Sequence, residues 1–101
     1  MNQDKMYLIN KLLNDKTIRT VWDKDEEKYY ISVVDVVGVL TESERPRKYW
    51  NDLKKKIVEE GSKVSEKIGQ LKLKAQDGKY RLTDVCDIKE IFRIIESNSS
   101  K

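Results

Sequence analysis

Among the side chains of this sequence that can take part in chemistry, the cations are the ones whose spacing converges. On a helix beginning at Pro46, at about 100° per residue, Arg47, Lys48, Asn51, Lys54 and Lys55 share an arc about 120° wide. Arg45 stands just ahead of it. Guanidinium and ammonium groups on one helix face neutralise phosphates, while Asn51 or an arginine can read an adenine or guanine edge in the major groove. A second set, Lys72, Lys74, Lys79 and Arg81, alternates with apolar residues on either side of an Asp77-Gly78 turn. Such a set is suited to a two-stranded ribbon that lies along a groove or flanks phosphates. The competing reading of both sets is a solvated outer face that serves solubility and protects a sheet edge.

Other chemistries find little to work with. There is no histidine, so Ser-His and Cys-His pairs and His-containing zinc sites are excluded. Cys86 is the single cysteine. It cannot form an internal disulfide, and within LTDVCDIKEIF it reads as a small buried hydrophobe rather than a nucleophile. The acids occur as solvated pairs, Glu26-Glu27 and Glu59-Glu60, that do not converge on an ion. Gly38, Gly61, Gly69 and Gly78 form no phosphate-cradling loop. The expectation is a protein without catalysis, cofactor or metal.

The charge is segregated along the chain. Residues 45–81 carry twelve Lys or Arg against five acids, a local +7, although the whole chain has a formal charge of only +3. The flanking stretches, 1–44 and 82–101, are mildly acidic. A cationic middle on a small domain is the footprint of something that docks on phosphate backbones. The acidic turn Asp25-Glu26-Glu27 must then face away from any nucleic acid.

The elements that position these groups follow from patterning. At 101 residues with 38% hydrophobic content the chain is a single domain, residues 1–101, with one modest core. Residues 8–96 are expected to be ordered and 97–101 to fray. No apolar run nears the roughly 20 residues of a membrane span, and the start has no signal-peptide pattern, so a cytoplasmic location is expected. Residues 18–22 alternate as a strand and lead through a charged turn into a second strand at Tyr29-Tyr30-Ile31. Residues 7–13 fit either a short helix or a strand. Ser32 reads as the N-cap of a helix over about 33–40 that buries Val33, Val36, Val37 and Leu40. Gly38 inside that helix suggests a neighbouring backbone close by.

Pro46 suits the first turn of the next helix, Gly61 its stop, and Trp50, Leu53 and Ile57 its core stripe. Asp52 pairs with Lys56 on the far flank. Residues 62–69 read as a loop with Val64 and Ile68 partly buried. In the ribbon that follows, Leu71, Leu73, Ala75, Tyr80 and Leu82 point inward, and the four cations outward. Thr83 caps a turn through Cys86, and Asp87 to Glu90 has capping-box spacing before a closing helix that buries Ile88, Ile91, Phe92 and Ile95. Trp22 and Trp50 both lie in phase with core stripes, while one of Tyr29 and Tyr30 must point outward. The fold class is α+β, with two β-hairpins packed with about three helices in a single small domain.

The ordered segments IRTVWD, KYYISVVDVVGVLTES, PRKYWNDLKKKIVEEGS and QLKLKAQDGKYRLTDVCD resemble the N-terminal domain of the BRO family, the prophage antirepressors and baculovirus repeated-ORF proteins. The resemblance covers about residues 8–96. It implies a DNA-binding α+β domain joined to a variable C-terminal region, and a strand at 7–13. Family members continue past the last helix into a segment bearing an aromatic and a Trp, which this chain lacks. The family supplies no fixed DNA-contacting motif, so the site rests on Arg45, Arg47, Lys48, Asn51, Lys54, Lys55, Lys72, Lys74, Lys79 and Arg81. The expected partner is DNA, duplex favoured, bound in transcriptional control of a mobile element. Homo-oligomerisation stays open. The alternative is an interaction module that binds a repressor or another acidic protein.

Overall fold

A computed structural model describes residue 14 and residues 17–61 and 63–99. Its elements are β1 (Thr20–Asp23), β2 (Lys28–Ser32), α1 (Val33–Thr41), α2 (Pro46–Glu59), a 3₁₀ turn (Lys63–Lys67), β3 (Gly69–Lys74), β4 (Tyr80–Cys86) and α3 (Ile88–Ser99). The strands form one antiparallel sheet in the order β1-β2-β4-β3. Among the described residues this is the expected α+β class, two hairpins with three helices. The expectation for residues 7–13 falls outside the described residues. Among the described residues no helix is long and apolar enough to cross a membrane.

The hairpins meet at their open ends. Only Ile31↔Cys86 and Ser32↔Val85 join β2 to β4, and the pairing is antiparallel. Each strand runs from its own hairpin tip to this joint, so the two tips point in opposite directions. The acidic turn at 24–27 stands at one end of the sheet and the Asp77-Gly78 turn at the other.

Register decides what each hairpin shows. In β3–β4 the partners are Leu71↔Thr83, Lys72↔Leu82, Leu73↔Arg81 and Lys74↔Tyr80. Directly opposed residues share a face, so Tyr80 and Leu82 stand with Lys72 and Lys74, and Arg81 stands with Leu73. This corrects the inward placing of Tyr80 and Leu82 and the outward grouping of all four cations; Leu71, also expected inward, shares the face of Leu73 but is exposed near the sheet edge. The reason lies in the turn. Ala75 N–H donates to Lys79 O (2.8 Å) and Gly78 N–H to Ala75 O (3.0 Å), with Gly78 at φ 85°. The loop is therefore three residues, 76–78. A two-residue Asp-Gly loop would have set Leu73 opposite Leu82, and one residue of slip exchanges the faces.

The core lies between the helices and the joint. Ile31, Val33, Val36, Val37, Trp50, Leu53, Ile57, Cys86, Ile91 and Ile94 form one buried cluster. The α2 stripe is buried as its spacing requires. Leu40 packs against the cluster only partly buried. Three expectations are corrected. Trp22 is 51% exposed, because it sits near a hairpin tip that no described helix covers, and it packs instead against Tyr29, also exposed, with the rings tilted at 59° and their centroids 4.9 Å apart. In α3 Ile91 and Ile94 are buried, Ile88 is exposed in the first turn and Phe92 is half-buried, while the side chain of Ile95 lies outside the described residues. Residues 83–86 continue β4 to the joint rather than turning.

Capping follows the sequence in part. Asp87 caps α3 by accepting the Glu90 N–H at 3.0 Å. Ser32 takes the N-cap position of α1 with extended backbone, but its hydroxyl caps nothing and instead accepts a long bond from Arg19 (3.4 Å). Asp35 in the first turn of α1 is the partner of Arg19, which reaches it through Nε (2.7 Å), a second guanidinium nitrogen (3.1 Å) and its backbone N–H (3.0 Å). This bidentate pair ties the start of β1 to α1.

Candidate nucleic-acid interface

Three contacts fix where α2 lies. At its start, Pro46 packs on α1, and a Cβ added to Gly38 would meet the Pro46 ring at 3.1 Å. The close neighbour of Gly38 is thus a proline ring, not a backbone. In its middle, Trp50 is buried and its indole N–H donates to Asp84 Oδ2 at 2.8 Å. One turn on, Lys54 Nζ donates to the same oxygen at 2.9 Å, and Gln70 Nε2 donates to Asp84 Oδ1 at 3.0 Å. Burial pushes the Asp84 carboxyl up, but the hydrogen bonds from Lys54, Trp50 and Gln70 outweigh it and hold the pKa below the usual carboxylate range.

That node corrects the cationic arc. Lys54 is occupied inside the fold, its charge spent on Asp84. Lys48 pairs with Asp52 at 3.1 Å, so the i, i+4 partner of Asp52 is Lys48 and not Lys56. Both members of that pair are well exposed, and such pairs exchange readily with solvent or a stronger anion. Arg47, Asn51 and Lys55 remain exposed on α2, with Arg45 exposed at its N-cap. Among the described residues Arg45, Arg47 and Lys55 enter no ion pair.

The helix and the ribbon come together at Arg47. A cleft of about 480 Å³ is lined by Thr17, Arg19, Val34, Asp35, Pro46, Arg47, Lys74, Ala75, Gln76, Asp77 and Arg81. Four of these are cations and two are acids. Arg19 neutralises Asp35, and Arg81 is hydrogen-bonded to Asp77, whose carboxyl that bond holds below its ordinary pKa. Arg47 is left as the unpaired charge of the cleft, and Lys74 brings to it the carbonyl that accepts from Arg19. Round the helix start, Arg45, Arg47, Lys48 and Asn51 line a shallower hollow with Glu44, Pro46 and Asp52. Arg47 lines both, so the surface is continuous from α2 to the ribbon tip.

The remaining site residues divide by face and distance. Lys72 and Lys74 project from one face of the ribbon and Arg81 from the other, with Lys79 beside the turn. All four are exposed. Arg19 belongs to the cleft and was not among the expected site residues. Its sequence signal, one Arg amid a β-branched strand, does not distinguish a site residue from an outward strand position. It also donates to Lys74 O at 3.0 Å, which anchors the ribbon tip beside α1.

Cys86 is fully buried at the joint, and burial pushes its thiol up to about 12, the state of an inert core residue. At the opposite end, Lys28 bridges to Asp87 at 3.4 Å and lies over the Tyr30 ring. Asp23, Asp25, Glu26 and Glu27 there outnumber Lys24 and Lys28. The chain matches no protein-family model, no curated protein and no solved structure.

Proposed function

We propose that this domain binds duplex DNA, in the manner of a phage or prophage antirepressor-type transcriptional regulator. The observation that carries the reading is the meeting of Arg47 with Lys74 and Arg81 around one cleft, extended by Arg45, Lys48 and Asn51 along the helix start. Phosphate contacts from these groups would supply affinity, and the exposed Asn51 beside them would be the group that reads a base edge. The acidic hairpin tip lies at the other end of the sheet, where it does not oppose a polyanion. The resemblance of the ordered segments to the BRO family supports the same reading. Titration of short duplex DNA at several salt concentrations tests it. With six to eight phosphates contacted, affinity falls by about 10³ or more between 50 and 200 mM salt. A flat response contradicts the proposal.

One observation favours a second reading, an interaction module for a repressor protein. Trp22 and Tyr29 form an exposed aromatic pair, a residue type enriched at protein interfaces. Charge reversal at Arg45, Arg47 and Lys55 separates the two. It abolishes binding under the first reading and leaves partner capture through the aromatic tip intact under the second.

A further inference from the structure

The ribbon carries two side chains that the phosphate-binding reading leaves idle. Tyr80 is 65% exposed and Leu82 62% exposed, and they sit on one face two residues apart in β4. Their spacing along the strand is therefore about 6.6–6.8 Å. Each is directly opposite a lysine of β3, Tyr80 opposite Lys74 and Leu82 opposite Lys72. Toward the joint the same face is covered, since Cys86 and Ile31 are buried there. Toward the tip nothing among the described residues covers it.

Adjacent exposed apolar groups on one face of a strand form a contiguous patch of the kind that marks a contact surface, and their neighbours indicate which partner. On this face of β3 and β4 the only acid is Asp84, and it is already satisfied by Trp50, Lys54 and Gln70. An acid left free there would repel phosphate. What remains is an aromatic ring and a branched aliphatic group on β4 with a row of two ammonium groups beside them on β3. An apolar protein patch would not select flanking lysines, whereas nucleic acid offers both base faces for the apolar groups and phosphates for the cations.

Resting on the DNA-binding reading above, we infer that Tyr80 and Leu82 form a wedge that enters a base step of duplex DNA and unstacks it, with Lys72 and Lys74 on the flanking phosphates. The wedge stands on a two-stranded ribbon whose tip is braced by the Arg19 bond to Lys74 O, so the side chains are presented by a held element and not by a loose loop. Insertion loses stacking in the DNA and gains burial of both apolar groups. A duplex whose step is already loosened is therefore the better ligand.

The test compares a fully paired short duplex, the same duplex with one central mismatch, and the single strand, by fluorescence anisotropy at fixed salt. The expected result is that the wild-type chain binds the mismatched duplex about tenfold or more tighter than the paired one. Tyr80→Ser with Leu82→Ser should bind both duplexes equally, with an unchanged salt slope. Both positions are mostly exposed, so the fold tolerates the change, and circular dichroism checks this. Tyr80→Phe with Leu82→Met should keep the preference.

Salt-dependent binding of paired duplex by the wild type without a mismatch preference overturns the wedge and leaves the DNA reading standing. Retention of the preference by the Ser variant also overturns it. So does tighter binding of the single strand than of the mismatched duplex. If no probe binds in a salt-dependent way and Arg47→Glu changes nothing, the DNA reading itself fails.

Discussion

Lys54 and Asp84, thirty residues apart in sequence, meet at 2.9 Å on an oxygen that also accepts the Trp50 indole N–H. This contact fastens the middle of α2 to β4. It converts a lysine of the cationic arc into a structural residue, and it silences the only carboxylate on that face of the ribbon.

Asp84→Asn should lower stability by about 1–3 kcal/mol, toward the lower end because Lys54 stays partly exposed. The folded pKa of Asp84 lies below its unfolded value, so its contribution is fully present above the unfolded carboxylate pKa of about 3.9. It is lost as pH falls through the folded value. Urea midpoints of wild type and variant should differ by a constant amount from neutral pH down to about 5, then converge in acid.

Arg47→Glu and Lys54→Gln should act on different properties. The first removes an exposed cation, so it should weaken DNA binding and reduce the salt slope by about 1 or more while leaving the melting temperature unchanged. The second should lower the melting temperature first. Paired anisotropy and thermal scans on the two variants read this directly.

Gly38 tests the seat of α2. Alanine gains up to about 1 kcal/mol of helix propensity but sets its Cβ 3.1 Å from the Pro46 ring, so Gly38→Ala should be near neutral. Gly38→Leu adds a bulky group against the Pro46 ring and should cost about 1–3 kcal/mol in denaturant melts.

Cys86 should be unreactive toward a thiol reagent at pH 8 in the native protein and react fully once urea unfolds it, because the thiol is buried and held at about 12. Rapid native labelling would mean that the joint between the hairpins opens.

Gly78→Ala should destabilise by about 1 kcal/mol, since its φ of 85° is open to glycine and strained for alanine. Because that turn sets the register, amide exchange in 69–74 and 80–86 should quicken more than in α1.

Much of the fold was legible because local patterns agreed with it. The stripe of Trp50, Leu53 and Ile57, the proline at the start of α2 and Asp87 ahead of α3 each carried their own signal. The orientation of the second hairpin was not legible. Two-residue and three-residue loops around Asp77-Gly78 share a composition, and they differ only in which face receives Tyr80 and Leu82. Trp22 failed for a related reason: alternation identifies a strand, but only tertiary placement shows that its end extends past the helices. In the candidate site, Arg47 and its neighbours were found from helical periodicity. The capture of Lys54 by Asp84 and of Arg19 by Asp35 depends on long-range approach that no local window contains.

The opposed hairpin tips give the molecule an electrical direction. Among the described residues, acids gather at 23–27 and the unpaired Lys72, Lys74 and Lys79 stand near the other tip, so negative and positive charge are separated along the sheet. In the field of any extended polyanion such a body experiences a torque before it experiences contact. On the proposed DNA-binding reading it would arrive already turned, and dissolved salt, by shortening the range of that torque, would slow encounter as well as loosen the bound state.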